Sequence, residues 1–399
     1  MTLDLLKERG TPLSNQRFTL RELNPIPHSK LDDDAFTRVR IILMNGIESE
    51  AIRFKHLFAR LSRDLRLPLA ETRRVEHHQQ TMVNWLLPGD LSPLETTIAY
   101  EQVAIEVTAS LAQHEPDPYL AQVLRFGLLE DFDHLYRYSA LLDRLEGKDA
   151  NAITQCYTDI LPGRPTAIEH RHPVDDLRHH YDRKNAAPIS RLNTLTIVSA
   201  EYQTHDYYMH VGPLLSDPVG RMLYAEIASI EEQHVTQYES LIDPEESWLE
   251  QWLLHEATEV YNYYSCAQQE SNPRIRALWE RFVDYELGHL HAARELFEKI
   301  ERRDAAEVLP STLPDPIDFS SHREFVRKVL NQEVDFAAQG TEIKPRSQVQ
   351  APQTDAYRDH FLSEGSASEA VADRFEWTPG TELTRRRLHK ELDTRRYAS

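Results

Sequence analysis

The chain is short of cysteine, of net positive charge and of long apolar runs, and each shortage removes a class of function. Only Cys156 and Cys266 occur in 399 residues, so there is no disulfide framework, no Cys-x-x-Cys pair and no cysteine set for an iron–sulfur cluster. Acidic residues outnumber basic ones 65 to 45, a formal net charge of −20 that repels nucleic acid and anionic membrane. Neither a flavin nor a nicotinamide glycine fingerprint is present. The stretch Met1 to Arg9 carries Asp4, Lys7, Glu8 and Arg9 without a long apolar run, and nothing later approaches a membrane span. The cytoplasm is therefore the expected compartment.

What is present is a helical chain with enough apolar content, 40%, for a real core. Helical periodicity runs from near Asp34 toward Leu61 and again from about Leu69 to Leu87. Pro88-Gly89-Asp90 breaks it, and Ser92-Pro93 caps a third helix that ends near Glu115. Pro116-Asp117-Pro118 turns the chain into a fourth, which reaches Glu146 before Gly147. This reads as a polar lead (1–33), a first helical bundle (34–147), a linker rich in Pro, Asp and His (148–190), a second bundle (191–303) and a C-terminal extension (304–399). In the extension, Phe325 to Phe336 forms a short amphipathic helix, and the polar stretch from Gln339 drapes over the body or stays disordered. Its basic end, Arg385 through Arg396, is expected to pair with the acidic body. The linker histidines His170, His172, His179 and His180 read as incidental rather than as a metal cluster.

The chemistry gathers between Leu195 and Glu298. Glu231-Glu232-Gln233-His234 and Glu286-Leu287-Gly288-His289 are both Glu-x-x-His, which puts a carboxylate and an imidazole on one helix face. The motif by itself is cheap: 65 acids and 19 histidines give roughly three acid-x-x-His matches by chance, and five occur, at Asp131, Glu169, Asp176, Glu231 and Glu286. Two features taken together set Glu231 and Glu286 apart, the first not sufficient alone because Asp176 also has an acid, Glu146, thirty residues earlier. Each has an acid thirty residues upstream, Glu201 and Glu256, the spacing of a helical hairpin that returns to the same height. Each also lies in an apolar stripe: Ile227, Ile230, Glu231, His234, Tyr238 for one, Trp279, Phe282, Glu286, His289, Leu290 for the other. No Lys or Arg lies on these stripes, and several kcal/mol per buried, unpaired carboxylate calls for a metal cation.

One Glu from each of two helices plus Glu-x-x-His from each of two others resembles the ligand set of the ferritin-like di-iron carboxylate proteins, rubrerythrins and bacterioferritins among them. The resemblance covers about a hundred residues and implies a buried di-metal site of Glu201, Glu231, His234, Glu256, Glu286 and His289, with Glu259 in reserve for Glu256. It implies two iron ions, or manganese, and a reaction with dioxygen or peroxide fed by a separate electron donor, since the rubredoxin cysteines of a rubrerythrin are absent. The organic substrate is not legible, and a homodimer is allowed. Metal storage and a helical interaction protein with a vestigial site are the alternatives. Tyr202, Tyr208, Tyr263 and Tyr285 fall near the expected ligands and read first as core aromatics.

The first four helices echo this region. Ala112–Pro118 matches Ala267–Pro273 at a shift of 155 residues, which places Glu101 on Glu256, Asp131 on Glu286 and His134 on His289. With one extra residue His78 falls on His234, while Val75 replaces Glu231 and Asn45 replaces Glu201. The expected fold is all-α: two tandem ferritin-like four-helix bundles, the first with a degenerate ligand set of Glu101, Asp131, His134 and His78. A second ordering stays open. The tight turn Ile242 to Ser247 departs from the long ferritin crossover, whereas the helices around Glu101 and Asp131, the long linker, then those around Glu201 and Glu231 reproduce it. His134 beside His234 is the mark of that ordering.

Overall fold

The computed structural model describes residues 3–31 and 34–372, with the backbone of two further two-residue strands at Phe375–Glu376 and Arg386–Arg387. Most of the basic end from Arg385 to Arg396 lies outside the described residues. The chain is mostly helical. Single helical turns aside, its body is α1 (Ala35–Leu61), α2 (Arg66–Asn84), α3 (Pro93–His114), α4 (Pro118–Glu146), α5 (Pro188–Val211), α6 (Pro218–Glu239), α7 (Trp248–Gln269) and α8 (Pro273–Glu301). No helix among the described residues is long and apolar enough to cross a membrane.

Local chemistry starts these helices where the sequence predicts. Ser92 and Glu95 form a capping box ahead of Pro93, and Asp117 accepts from the Tyr119 and Leu120 amides ahead of Pro118. The echo repeats it: Ser247 caps α7, and Asn272 accepts from the Arg274 and Ile275 amides ahead of Pro273. Helices α3 and α7 are both 22 residues long, and α4 and α8 are both 29, so the echo extends to the elements themselves.

Consecutive helices pair as four hairpins, and the first helix of each faces inward: α1 packs on α3, α5 and α7, and α5 on α3 and α7. That position explains their sequences, because α3 and α5 are buried along most of their length and lack a clean polar face. The hairpins do not group in chain order. The α3–α4 hairpin lies against α5–α6, through α3 with α5 and α4 with α6, while α1 lies against α7. The expected sequential bodies, 34–147 and 191–303, are therefore interleaved. Periodicity fixes the face a helix buries, not the helix that covers it.

Two segments read as peripheral are built into the body. In the linker, Arg164, Glu169, His170, Arg171 and Arg178 are all buried. The extension continues as α9 (Arg323–Glu333), an antiparallel hairpin of β1 (Phe336–Gln339) and β2 (Glu342–Pro345), α10 (Pro352–Phe361) and α11 (Ala367–Ala372). The two segments hold each other: Arg164 donates to the Phe336 carbonyl, Arg178 to the Gly340 carbonyl at 3.0 Å, and the Gly340 amide to Asp175 at 2.5 Å. Glu226 on α6 accepts the Ala367 and Ser368 amides at 2.7 and 3.0 Å, tying down the start of α11.

The N-terminal lead is likewise a strap across α8. The Thr11 amide donates to the Asp284 carbonyl at 3.0 Å, and Gln16 Nε2 to the Tyr285 carbonyl at 2.9 Å. Contact is close enough that a Cβ on Gly288 would overlap the Thr11 carbonyl. Gly288→Ala is therefore expected to lift the strap and cost about 1–3 kcal/mol, the usual range for overpacking. Calorimetry should find a lower Tm and limited proteolysis should find faster cutting near residue 10; an unchanged Tm would mean that the strap is not seated as described.

Candidate metal centres

The inward faces of the eight helices carry two carboxylate clusters. In the first, α3 contributes Glu101, α4 Asp131 and His134, α5 Glu201, and α6 Glu231 and His234, all essentially without solvent contact. Asp131, Glu201, Glu231 and His234 offer ligand atoms that lie within 4.8 Å of one another, and so do Glu101, His134 and Glu231. Glu231 belongs to both groups. Its Oε1 is 3.0 Å from His134 Nδ1 and its Oε2 is 3.2 Å from His234 Nδ1, and the two imidazoles lie 5.7 Å apart, centre to centre. Two adjacent cation positions sharing one carboxylate are the arrangement this donor set provides.

Surrounding residues orient these side chains. Glu130 accepts from His234 Nε2 at 2.7 Å, and Arg171 and Arg164 in turn hold Glu130. Tyr208 donates to Glu101. Even so, both oxygens of Asp131, Oε2 of Glu101, Oε1 of Glu201 and Nε2 of His134 have no hydrogen-bond partner. Four carboxylates and two imidazoles, with this many unmet buried atoms, fit a pair of divalent cations and fit a neutral core poorly.

The second cluster looks similar and differs in kind. It takes Glu48 from α1, Glu76 and Gln79 from α2, Glu256 and Glu259 from α7, and Glu286 and His289 from α8, all buried. Glu286 is shared between a Glu76, Glu256, Glu286, His289 group and a Glu48, Glu259, Glu286 group. Its positive charge comes from the protein. The fully buried Lys55 ammonium pairs with Glu76, with Glu256 at 2.9 Å and with Glu259 at 3.4 Å. Gln79 stands where the first cluster has a histidine and donates to Glu286 at 2.5 Å, while Trp252 donates to Glu256 at 2.5 Å and Tyr263 to Glu48. His289 lies between Glu286 at 2.9 Å and Gln16 of the N-terminal strap at 2.6 Å.

The six residues expected to converge are thus divided. Glu201, Glu231 and His234 belong to the first cluster, Glu256, Glu286 and His289 to the second, and no group among the described residues mixes the sets. Each hairpin keeps its acid level with its Glu-x-x-His pair, but the ligand side chains of the α5–α6 hairpin meet those of α3–α4 and not those of α7–α8. The open second ordering is the one adopted, with His134 beside His234. Glu101, Asp131 and His134 complete the first cluster, whereas His78 stays outside both and packs on Phe18 at 5.7 Å. Glu259 and Glu256 both enter the second cluster, in different groups.

Four residues of the second cluster were missed. Carrying the shift of 155 one helix further sets Glu76 on Glu231 and Gln79 on His234, without the extra residue that led to Val75. Glu48 was passed over for Asn45, and Lys55 was unseen because it reaches in from α1, off the stripes inspected. Of the four tyrosines, Tyr208 and Tyr263 touch a carboxylate of these clusters, while Tyr202 bonds Glu239 and Tyr285 meets Arg281. The linker histidines join no metal-like group among the described residues. Comparison with known protein families, with curated protein sequences and with solved structures finds no match for the chain.

Without a cation the first cluster holds protons instead. Burial raises Glu201 to about 7 despite the pull of His234, and burial together with neighbouring acids raises Asp131 and Glu101 further. Burial lowers His234, but Glu201, Glu130 and Glu231 outweigh it and raise it. Burial also opposes the ionisation of Glu231, and His134 and His234 overcome it and hold Glu231 low. For each raised group the stabilisation is complete below its ordinary pKa and lost as pH climbs through the folded value. Metal-free protein should lose stability from about pH 5 to 8, at about 1.4 kcal/mol per pH unit for each proton released. Divalent metal should reduce that slope by the first cluster's share, because its ligands are then deprotonated in the fold, while Glu76 and Glu106, each raised to about 7 chiefly by burial, keep the remainder. Urea denaturation at several pH values, with chelator and with metal, measures both; a metal-free curve that is flat or rises with pH contradicts it.

Proposed function

We propose that the chain is a ferritin-like di-metal carboxylate protein, with α3, α4, α5 and α6 as its working four-helix bundle and α1, α2, α7 and α8 as a second bundle interleaved with it. The observation that carries this reading is the sharing of Glu231 between two ligand groups. Asp131, Glu201 and His234 would hold one ion, Glu101 and His134 the other, and Glu231 would serve both. Carboxylates with one imidazole per ion suit iron or manganese. Such a pair, when bound, supplies redox chemistry with dioxygen or peroxide, and in a chain without flavin, nicotinamide or iron–sulfur motifs the electrons come from a separate donor.

The protein's own contribution is orientation and exclusion of water. Glu130, fixed by Arg171 and Arg164, sets the direction of the His234 ring. Tyr208 donates its hydroxyl to Glu101 and forms one wall of an open groove of about 400 Å³ with Met209, Pro213, Met222 and Tyr224, Arg221 being its charged residue. A mostly apolar groove one side chain away from the cluster gives a small organic molecule a place to approach it, which supports an oxidase or oxygenase over a storage role. The two unpaired thiols, Cys156 and Cys266, fit a reducing compartment such as the cytoplasm.

Purified protein is expected to carry iron or manganese and, once chemically reduced, to consume dioxygen or peroxide. His134→Ala and His234→Ala should each lose metal and that activity while keeping helicity. Glu130→Ala, one step removed from the ions, should weaken metal affinity about 10–100-fold. Metal content and oxygen uptake measure both; a His134→Ala, His234→Ala double variant that keeps its metal would move the ions elsewhere, and bound metal without turnover would favour storage.

A further inference from the structure

We propose that Lys55 is the resident cation of the second cluster, and that Glu48, Glu76, Glu256, Glu259, Glu286 and His289 form a latent divalent-metal site that the ammonium keeps closed. The case begins with charge. Five buried glutamates face one another there, and among the described residues Lys55 is the one Lys or Arg that pairs with any of them, taking Glu76, Glu256 and Glu259. It sits between Glu76, Glu256 and Glu259, which come from both sides of the cluster, as an ion would. The lysine satisfies only part of the shell. Glu48 Oε2, Glu76 Oε2, Glu256 Oε2 and Glu259 Oε1 are buried without a hydrogen-bond partner, so the donor atoms a metal would use are still in place.

The second line of argument is positional. Lys55 follows Glu48 by seven residues, and Tyr208 follows Glu201 by the same seven, two helical turns along one face. Both reach the carboxylate of the neighbouring inner helix: Lys55 pairs with Glu256, and Tyr208 donates to Glu101. One place in the two clusters therefore holds a neutral hydroxyl in the first and a fixed positive charge in the second. An ammonium there excludes a metal ion twice, by occupying the space and by repelling the charge. The oxygen-rich remainder, with one imidazole, suits manganese or ferrous ion rather than a thiol-seeking metal.

The test is a manganese count in a background where the first centre is disabled. Chelator-treated His134→Ala, His234→Ala protein is dialysed against Mn²⁺, and metal per chain is measured with Tm. With Lys55 present this protein should retain no manganese and show no change in Tm. Adding Lys55→Ala should raise retention to at least one equivalent and make Tm rise with Mn²⁺, and adding His289→Ala should reverse both. Manganese held with Lys55 present and released by His289→Ala overturns the proposal, as does a folded Lys55→Ala variant that binds none. Two arms avoid the Lys55 substitution. In the otherwise native chain, His289→Ala should leave metal content unchanged, and Tyr208→Lys should empty the first centre; loss of metal in the former, or full retention in the latter, counts against it. Should the native chain bind no metal at all, the reading of the first centre fails while the gain on removing Lys55 still judges this one.

Discussion

A carboxylate taken out of water must be given a positive charge or a proton, and the inner helices of this protein are organised around that demand. Glu270 is answered by Arg40, Glu246 and Glu250 by Arg191, and Glu130 by Arg171 with Arg164, all buried pairs. Removing one partner of such a pair typically costs about 3–5 kcal/mol, because the survivor is left charged in a poor solvent. The two clusters press the same demand harder, since each gathers more acid than a single guanidinium could serve. One answers with a lysine. The other has imidazoles in its place, and in both clusters burial still drives acids toward holding protons, Asp131 and Glu101 in one and Glu48 and Glu259 in the other.

That difference depends on which hairpins face each other. Because the connection between α4 and α5 runs over α4 and α6, with the Arg164 amide on the Leu129 carbonyl and the Arg171 amide on Gln233, the first cluster is assembled from the middle of the sequence. The second joins α1–α2 to α7–α8, elements from opposite ends of the body, so it can form only when the whole chain has come together. A protein-borne cation suits the cluster with the longest loop closure. It arrives with the chain and does not wait for a metal ion to be supplied.

Much of this was legible before the structure, and the limits have identifiable causes. Glu231 with His234, Glu286 with His289 and the level acids Glu201 and Glu256 could be read from periodicity, because i, i+3 spacing and hairpin length are properties of one hairpin. Which hairpin covers which is a property of two, and there the sequential grouping failed for Glu256, Glu286 and His289. The echo at 155 residues held the answer in part: it aligned Asp131-x-x-His134 with Glu286-x-x-His289, and so already marked α4 as a ligand-bearing helix. Gln79 broke the pattern because an amide is not a ligand type one searches for. The linker and extension were undervalued for another reason. Their polar residues, Arg164, Arg171, Arg178, Asp175 and Glu169, look solvated by composition but are buried among ion pairs and backbone carbonyls that no sequence window contains.

Retaining five acids around a lysine, instead of replacing the set by apolar residues, has a physical explanation in the coupling between them. Deleting Lys55 alone strands the three carboxylates it pairs with, and deleting one glutamate alone changes the balance around an ammonium that is itself expensive to bury. Only simultaneous replacement would give a neutral core, and each single step toward it passes through a less stable protein. The interactions at Tyr263, Trp252 and Gln79 deepen the trap, because each donates to a carboxylate of the cluster and would lose its own buried partner with it. A cluster of this kind persists once its cation is built in. The first cluster has no such built-in cation: among the described residues its ligand groups meet imidazoles and the neutral Tyr208 hydroxyl, not an ammonium.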